Sequence, residues 1–485
     1  MKKHFLILLL PLSLLWGCSK EGSILPRYKA EKAFFKAGKL YQRILINPAL
    51  AQREDYSRTV QAYRRVIGFE GQGEELNILA TKARLNIAQL YLAKKDYPQA
   101  IDEYQKVLDK TDQDFDLRAS VRLSIAQIYE ETGDFQRAIE EYKCLAADYT
   151  SFTSPGKEPQ KGFLPVPLQV PRLYRRLGKR AEEEYNWARD LYQGIASRWP
   201  QSPIALLAQK QIAISYADQG QWVKAKEALD RIVKEYPQSP LLPQVLLTIA
   251  DIYAERLGSL DQALLTYQRI LDGYPESSLG GPAQFSIGRI HLKRGEPEKA
   301  RESFQKVIRG FPQNLSLSAE AHFGIGSTYE AMGKWDQALS EYRWVVDKYP
   351  NTQVALRVPL YLADYYSRSK MDELADQEYK RAVKTYQGMV EKSPKSLFAA
   401  FAQERIAQCY IHQKRWKEAI SSLWTLVRNF PTSQPVADGY LVLGMLYESE
   451  LEDKAGALKA YEEFSRRFPH HTLNEKVKKR MEELR

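Results

Sequence analysis

Small, aromatic and proline positions recur along this chain in a unit of about 38 residues, a period that marks a stack of repeated elements. Each unit holds a small residue, at Ala88, Ala126, Ala213, Ala250, Gly288, Gly326, Ala363, Ala407 and Gly444. Three positions later comes a ring: Tyr91, Tyr129, Tyr216, Tyr253, His291, Tyr329, Tyr366, Tyr410 or Tyr447. An alanine follows twelve or thirteen residues after the small one, from Ala100 to Ala457, and four further on stands a large side chain such as Tyr104, Tyr142, Phe304 or Tyr461. Proline closes the units at Pro200, Pro237, Pro275, Pro312, Pro350, Pro394, Pro431 and Pro469, in steps of 37, 38, 37, 38, 44, 37 and 38. Two antiparallel helices per unit account for this spacing. The small residue and the alanine let the two backbones approach at their crossing, and the rings one turn away fill the space around it. Glycine in Gly133-Asp134-Phe135 or Gly333-Lys334-Trp335 ends the first helix, and the second stops before a proline such as Pro237.

Residues 28 to 69 read as a divergent helical pair, 70 to 149 as repeats one and two, 173 to 275 as repeats three to five with the third degenerate, and 276 to 471 as repeats six to ten. Between 150 and 172 stand Pro155, Pro159, Pro165, Pro167 and Pro171, a break in which the first helix of the third repeat cannot form normally. Such a segment is either a loop exposed on the outer surface or a joint and docking strand. Residues 472 to 485 read as a helix that solvates the end of the stack. Thr472 and Glu475 have capping-box spacing there, and Leu473, Val477, Met481 and Leu484 form an apolar stripe. Two irregularities repeat at an offset of 194 residues: Tyr185, Ala188, Tyr192, Gly194 and Pro200 match Tyr379, Ala382, Tyr386, Gly388 and Pro394, and an extra turn residue after Ala250 recurs after Gly444. A five-repeat unit, 75 to 275, is duplicated as 276 to 469. Gly194 and Gly388 fall inside helices, where glycine costs about 1 kcal/mol relative to alanine, and read as points of close packing.

The small residue, the ring, the second alanine and its aromatic resemble the signature of the tetratricopeptide repeat. The closing Tyr-Pro and the long period resemble the BamD-like subclass found in bacterial envelope lipoproteins. This resemblance implies an all-α fold, an α-solenoid in which helix-turn-helix repeats wind into a right-handed superhelix and first helices line a concave groove for segments of other proteins. Residues one and five after the small position then face the groove: Gln127, Glu131, Ile214, Asp218, Asp251, Glu255, Arg289, Lys293, Asp364, Arg368, Gln408, His412, Met445 and Ser449. Acidic and basic patches alternate along it.

Lys2 and Lys3, the apolar residues 5 to 15 and Leu15-Trp16-Gly17-Cys18 resemble a lipoprotein signal peptide. The apolar run is too short for a membrane span and is broken by Pro11. The resemblance implies removal of residues 1 to 17, covalent lipidation of Cys18, a linker over 18 to 27 and, with Ser19 after the cysteine, sorting to the periplasmic side of the outer membrane. No cofactor beyond that lipid is expected.

The formal net charge is +11, two units of it from the signal lysines. It fits solvated helix faces, or attraction to acidic partners and lipid headgroups; nucleic acid is not an expected partner outside the cytoplasm. Cys144 and Cys409 stand far apart on a linear stack and read as buried free thiols. The six histidines are scattered, Gly324-Ile325-Gly326 lies in a helix with no strand before it, and acidic runs such as Glu182-Glu183-Glu184 read as solvated faces. Neither catalysis nor a small-molecule substrate is expected. The leading function is a scaffold for envelope proteins; the alternative is an accessory superhelical protein of a peptidoglycan-active enzyme such as a lytic transglycosylase.

Overall fold

The computed structural model describes residues 24–46, 51–111, 114–151, 161–469 and 471–485. The signal segment, Cys18, Ser19 and the linker up to residue 23 lie outside the described residues. Among those described there are twenty-three α-helices and no strand, and no helix is long and apolar enough to cross a membrane. The chain is an all-α solenoid in two compact units, Met1–Tyr236 and Pro237–Arg485.

In the first unit, consecutive helices pack as pairs: α1 (Ile24–Ile46) with α2 (Arg53–Ile67), α3 (Glu74–Ala93) with α4 (Tyr97–Leu108), α5 (Phe115–Thr132) with α6 (Phe135–Ser151), α7 (Gln169–Arg176) with α8 (Glu182–Arg198), and α9 (Pro203–Asp218) with α10 (Trp222–Glu235). In the second, α11 (Leu242–Asp251) packs with α12 (Leu260–Gly273), α13 (Gly280–Lys293) with α14 (Pro297–Gly310), α15 (Leu315–Ala331) with α16 (Trp335–Lys348), α17 (Gln353–Arg368) with α18 (Asp372–Lys392), α19 (Leu397–His412) with α20 (Trp416–Asn429), and α21 (Val436–Ser449) with α22 (Lys454–Arg467). The last helix, α23 (Asn474–Leu484), covers α22.

In the sixth, seventh and tenth repeats the crossing is a ring set on bare backbone, and elsewhere the small residue is alanine. A Cβ added at Gly288 would stand 2.7 Å from Phe304, and one at Gly326 would stand 2.6 Å from Tyr342; at Gly444 it would meet the ring of Tyr461. Phe304 also lies against Gly324 of the next pair, 2.7 Å from a Cβ placed there, so one ring couples two repeats. Seven positions after the small residue the chain turns through left-handed backbone, with glycine at Gly133, Gly220, Gly295 and Gly333 and lysine at Lys95, Lys370 and Lys414. The extra residue of the fifth and tenth repeats is taken up by a wider turn. Leu257 N–H donates to the Ile252 carbonyl and Ser259 N–H to the Tyr253 carbonyl, and 194 residues on Leu451 and Asp453 do the same to Leu446 and Tyr447.

The third repeat corrects the exposed-loop reading of the proline-rich break over residues 161 to 172; Pro155 and Pro159 lie outside the described residues. Phe163, Leu164, Val166, Leu168 and Val170 are buried, and α7 begins inside the expected break. Leu164, Val166, Pro167 and Leu168 repeat Leu356, Val358, Pro359 and Leu360 at an offset of 192. In α17, Tyr386 Oη donates to the Leu356 carbonyl at 2.8 Å and accepts from Leu360 N–H at 3.1 Å, so a hydroxyl enters the helical ladder beside Pro359. Tyr192 does the same in the first unit: it donates to the Leu164 carbonyl at 2.7 Å and is bonded by the Leu168 backbone. The prolines shorten the helix, and a buried tyrosine satisfies the backbone they leave open.

Three smaller expectations also change. Thr472 does not cap α23; its N-cap is Leu473, without a side-chain bond, while Asn474 Nδ2 donates to the Pro469 carbonyl at 2.8 Å. Cys144 is exposed, and only Cys409 of the two free thiols is buried. Gly194 and Gly388 are not packing points, because a Cβ at either meets nothing within 4 Å. Gly194 borders a cavity of about 310 Å³ lined by Leu145, Phe163, Leu191 and Trp199, among others.

These glycines fall into two classes with opposite predicted responses. Gly326→Ala and Gly444→Ala should each destabilise the chain by about 1–3 kcal/mol through overpacking. Gly388→Ala should stabilise it by up to about 1 kcal/mol through helix propensity. Urea unfolding midpoints of the full chain check both signs.

Candidate partner-binding face

Four positions before the small residue, where the core would favour an apolar side chain, several repeats carry a polar one whose partner lies nineteen residues on, in the second helix. Arg122 pairs with Glu141 at 3.0 Å, His322 with Glu341 at 2.9 Å, Gln403 with Ser422 Oγ at 2.8 Å, and Arg84 with Glu103 at 3.8 Å. Gln209 reaches Glu235 instead, at 2.5 Å. The clamp of Gln403 and Ser422 satisfies groups that the crossing buries, whereas Arg84 and the buried Glu103 meet only as an ion pair and Glu103 Oε2 takes no hydrogen bond among the described residues. The clamps also leave the opposite face of the first helix free for other use.

That face is wired to the core through the tyrosines of the second helices. Tyr342 Oη donates to Glu330 at 2.7 Å, Tyr267 to Asp251 at 2.5 Å, Tyr379 to Asp364 at 2.7 Å and Tyr142 to Glu130 at 3.2 Å. Each ring is buried while its hydroxyl reaches an acid on the first helix. Burial first, and then the adjoining carboxylate, raises the Tyr379 and Tyr142 phenols above the ordinary tyrosine value.

The residues expected on the face are brought together across neighbouring repeats. Glu255, five after its small residue, meets Arg289, one after the next, at 3.3 Å. Asp364, one after Ala363, meets His412, five after Ala407, at 2.8 Å. Arg368 Nε donates to the Asp364 carbonyl at 3.3 Å, and Gln408 bonds Arg405 and Glu404 on its own helix. Glu131 accepts from Tyr97 Oη at 2.9 Å, and Asp218 pairs with Arg172 at 2.7 Å. Lys293, Met445 and Ser449 are exposed, the methionine by 60 %, and Gln127 is half-buried. Ile214 packs against the buried cluster of Leu164, Tyr185 and Tyr192, so it belongs to the core.

Arg172, Glu130, Glu330 and Glu404 extend the expected set. Arg172 occupies the slot of Asp364 once Leu164 is aligned with Leu356; the prolines around it concealed that register. Burial pushes the Glu404 carboxyl above its ordinary value, with Arg405 opposing and Asp438 adding to the push. Among the described residues no group of His, Cys, Asp and Glu is placed to hold a metal ion.

Two models described as tetratricopeptide repeat match this chain, one over 211–239, 244–277, 401–433 and 438–471 and the other over 85–149 and 285–351, together more than half of it. The chain belongs to the tetratricopeptide repeat family. Among curated relatives, the outer membrane protein assembly factor BamD of Neisseria meningitidis is 24% identical over 200 residues, covering 35% of this chain and 74% of that protein. BamD of Xylella fastidiosa is 22% identical over 255 residues, covering 52% of this chain and 68% of that one. The aspartyl/asparaginyl beta-hydroxylase of Mus musculus is 22% identical over 187 residues, covering 35% of this chain; the match spans 24% of that enzyme's length.

The Asp364 and His412 pair of the tetratricopeptide face gives a signed pH test. The hydrogen bond to Asp364 raises the His412 pKa above its ordinary value, burial opposing and the charge of Asp364 adding. Burial alone would raise Asp364, but the bonds from His412 and Tyr379 bring it below the usual carboxylate range. The imidazolium's contribution is therefore complete below about pH 6.5, the unfolded histidine value, and is lost as pH rises through the higher folded value. The carboxylate's contribution is present above about pH 4 and is lost as pH falls through its lowered folded value. The His412 side chain is 42% exposed, so solvent screening keeps the effect small. The melting temperature of wild type should exceed that of His412→Gln most between these limits and converge with it in alkali.

Proposed function

We propose that this chain is a protein-binding scaffold, attached by a lipid at Cys18 to the periplasmic side of the bacterial outer membrane, that holds segments of envelope proteins against its first-helix faces. The observation that carries this reading is the row of first-helix side chains joined across successive repeats, as in Glu255 with Arg289 and Asp364 with His412. Such a row offers an extended partner alternating charge and exposed apolar contacts such as Met445. The envelope setting is supported by the Lys2 to Cys18 pattern and by the two relatives named as outer membrane protein assembly factors. We assign the work to outer-membrane protein assembly or to a related secretion, pilus or peptidoglycan machine, with partner proteins in the groove and no small-molecule substrate or nucleic acid. The covalent lipid is the one non-protein group of this scheme.

Cys18→Ala should move the protein from the washed membrane pellet to the soluble fraction at high salt, whereas wild type stays in the pellet. Retention of the variant under those conditions would refute the anchor. A photocrosslinking residue at position 445 should capture outer-membrane assembly proteins in the cell, while one at position 380 on a second helix should not. Capture of cytoplasmic proteins, or equal capture from both positions, would count against the groove.

A further inference from the structure

We propose that the outward stripe of α1 is a second membrane contact, seated in the headgroup layer of an anionic bilayer. Its geometry rests on the lipid attachment at Cys18 proposed above. The inward side of α1 is ordinary core: Ala30, Ala37 and Ile44 are buried, and Phe34 and Tyr41 meet the ring of Tyr63 at 5.6 and 6.2 Å. On the outward side, Tyr28, Lys32, Phe35, Lys39, Arg43 and Ile46 follow one another at helical spacing along one line. Tyr28 is 57%, Phe35 64% and Ile46 81% exposed, which is unusual for three large side chains on one stripe. Lys32 lies 5.6 Å from the centre of the Tyr28 ring and Lys39 4.7 Å from that of Phe35, so each ring carries a cation beside it.

The helix holds Arg27, Lys29, Lys32, Lys36, Lys39 and Arg43 against a single acid, Glu31. Arg27 is engaged with Glu31 and Glu75 at 3.0 and 2.6 Å, which leaves the excess charge on the stripe and its borders. Rings and a large aliphatic side chain flanked by lysines are what the bilayer interface accepts, because the apolar parts enter the headgroup layer while the ammonium groups stay among phosphates. Basic segments are attracted to anionic lipid over the distance of a Debye length. The reach also fits: the six steps from Cys18 to Ile24 span at most roughly 20 Å when extended, so a lipid at Cys18 holds the start of α1 within that distance of the bilayer. Two contacts, a lipid and a basic stripe, would set the orientation of the repeats against the membrane where a tether alone would leave them free to rotate.

The test uses the full mature chain carrying Cys18→Ser, which has no lipid, and phosphatidylcholine vesicles with and without phosphatidylglycerol. Co-sedimentation is expected with the anionic vesicles only and should weaken as salt rises. Replacing Lys32, Lys36 and Lys39 together by glutamate should reduce it at least about tenfold. Phe35→Ser should reduce it severalfold, with circular dichroism of both variants unchanged because these side chains are exposed. Absence of binding to anionic vesicles, or binding that neither variant alters, overturns the proposal. So does loss of a protein partner in the cell by variants that still bind vesicles as wild type does, since the stripe would then serve a protein. Because this chain has no acylated cysteine, the vesicle result is independent of the Cys18→Ala fractionation, and either reading can fail without the other.

Discussion

A ring resting on a backbone that lacks side-chain bulk is the contact on which the rest of this fold depends. Phe304 shows its reach most plainly, since it occupies the space that a Cβ would need at Gly288 of its own pair and at Gly324 of the next. Close approach at that point brings two helices together and seats the following one in the same step. Where the ring is Tyr342 or Tyr379, its hydroxyl emerges on the far side of the crossing and meets an acid of the first helix, Glu330 or Asp364, while that of Tyr104 accepts from Gln89. Core packing and the chemistry of the face are thus two ends of one side chain.

The polar clamps do a different task. Arg122 with Glu141 and Gln403 with Ser422 tie first to second helix at a constant separation of nineteen residues. A hydrogen-bonded pair in a crossing is directional, and a slip of either helix would leave its members buried without partners. Apolar contacts alone tolerate such slips. The clamps therefore fix register within a pair, while the rings fix contact between pairs, and the left-handed turn at Gly133 or Lys370 sets the angle at which the second helix returns.

The third and eighth repeats show how the plan bends without failing. Pro359 interrupts the ladder of α17 and Pro167 helps to shorten α7, yet in both the open backbone is met by a tyrosine from the following helix. The same device in both copies explains why Tyr192 and Tyr386 lie in over-long second helices: only a ring carried there reaches the interrupted first helix. Within the first unit it also places Arg172 opposite Asp218, a cross-repeat pair in a segment whose composition reads as a loop.

Periodicity in the amino-acid sequence determined the helix pairs, their closing prolines, the duplication and the identity of the crossing residues, because each of these is a local rule repeated in register. The repeat spacing also put Asp364, His412, Glu255 and Arg289 on one face, although Ile214 at the same spacing belongs to the core. Only the tertiary structure decided which of those residues meet, for a pair such as Asp364 and His412 depends on how neighbouring repeats stack and not on spacing within either. It alone showed that Phe163, Leu164, Val166, Leu168, Val170 and Leu173 are core, because the prolines among them forbid a regular helix while saying nothing of the tyrosine that repairs the backbone. It alone assigned Gly194 and Gly388 to open space and Gly326 and Gly444 to close contact, since a glycine in a helix reads alike in sequence whatever stands opposite it. The outward stripe of α1 was hidden for the same reason: the sequence of Tyr28, Phe35 and Ile46 does not say which side of the helix its partner takes.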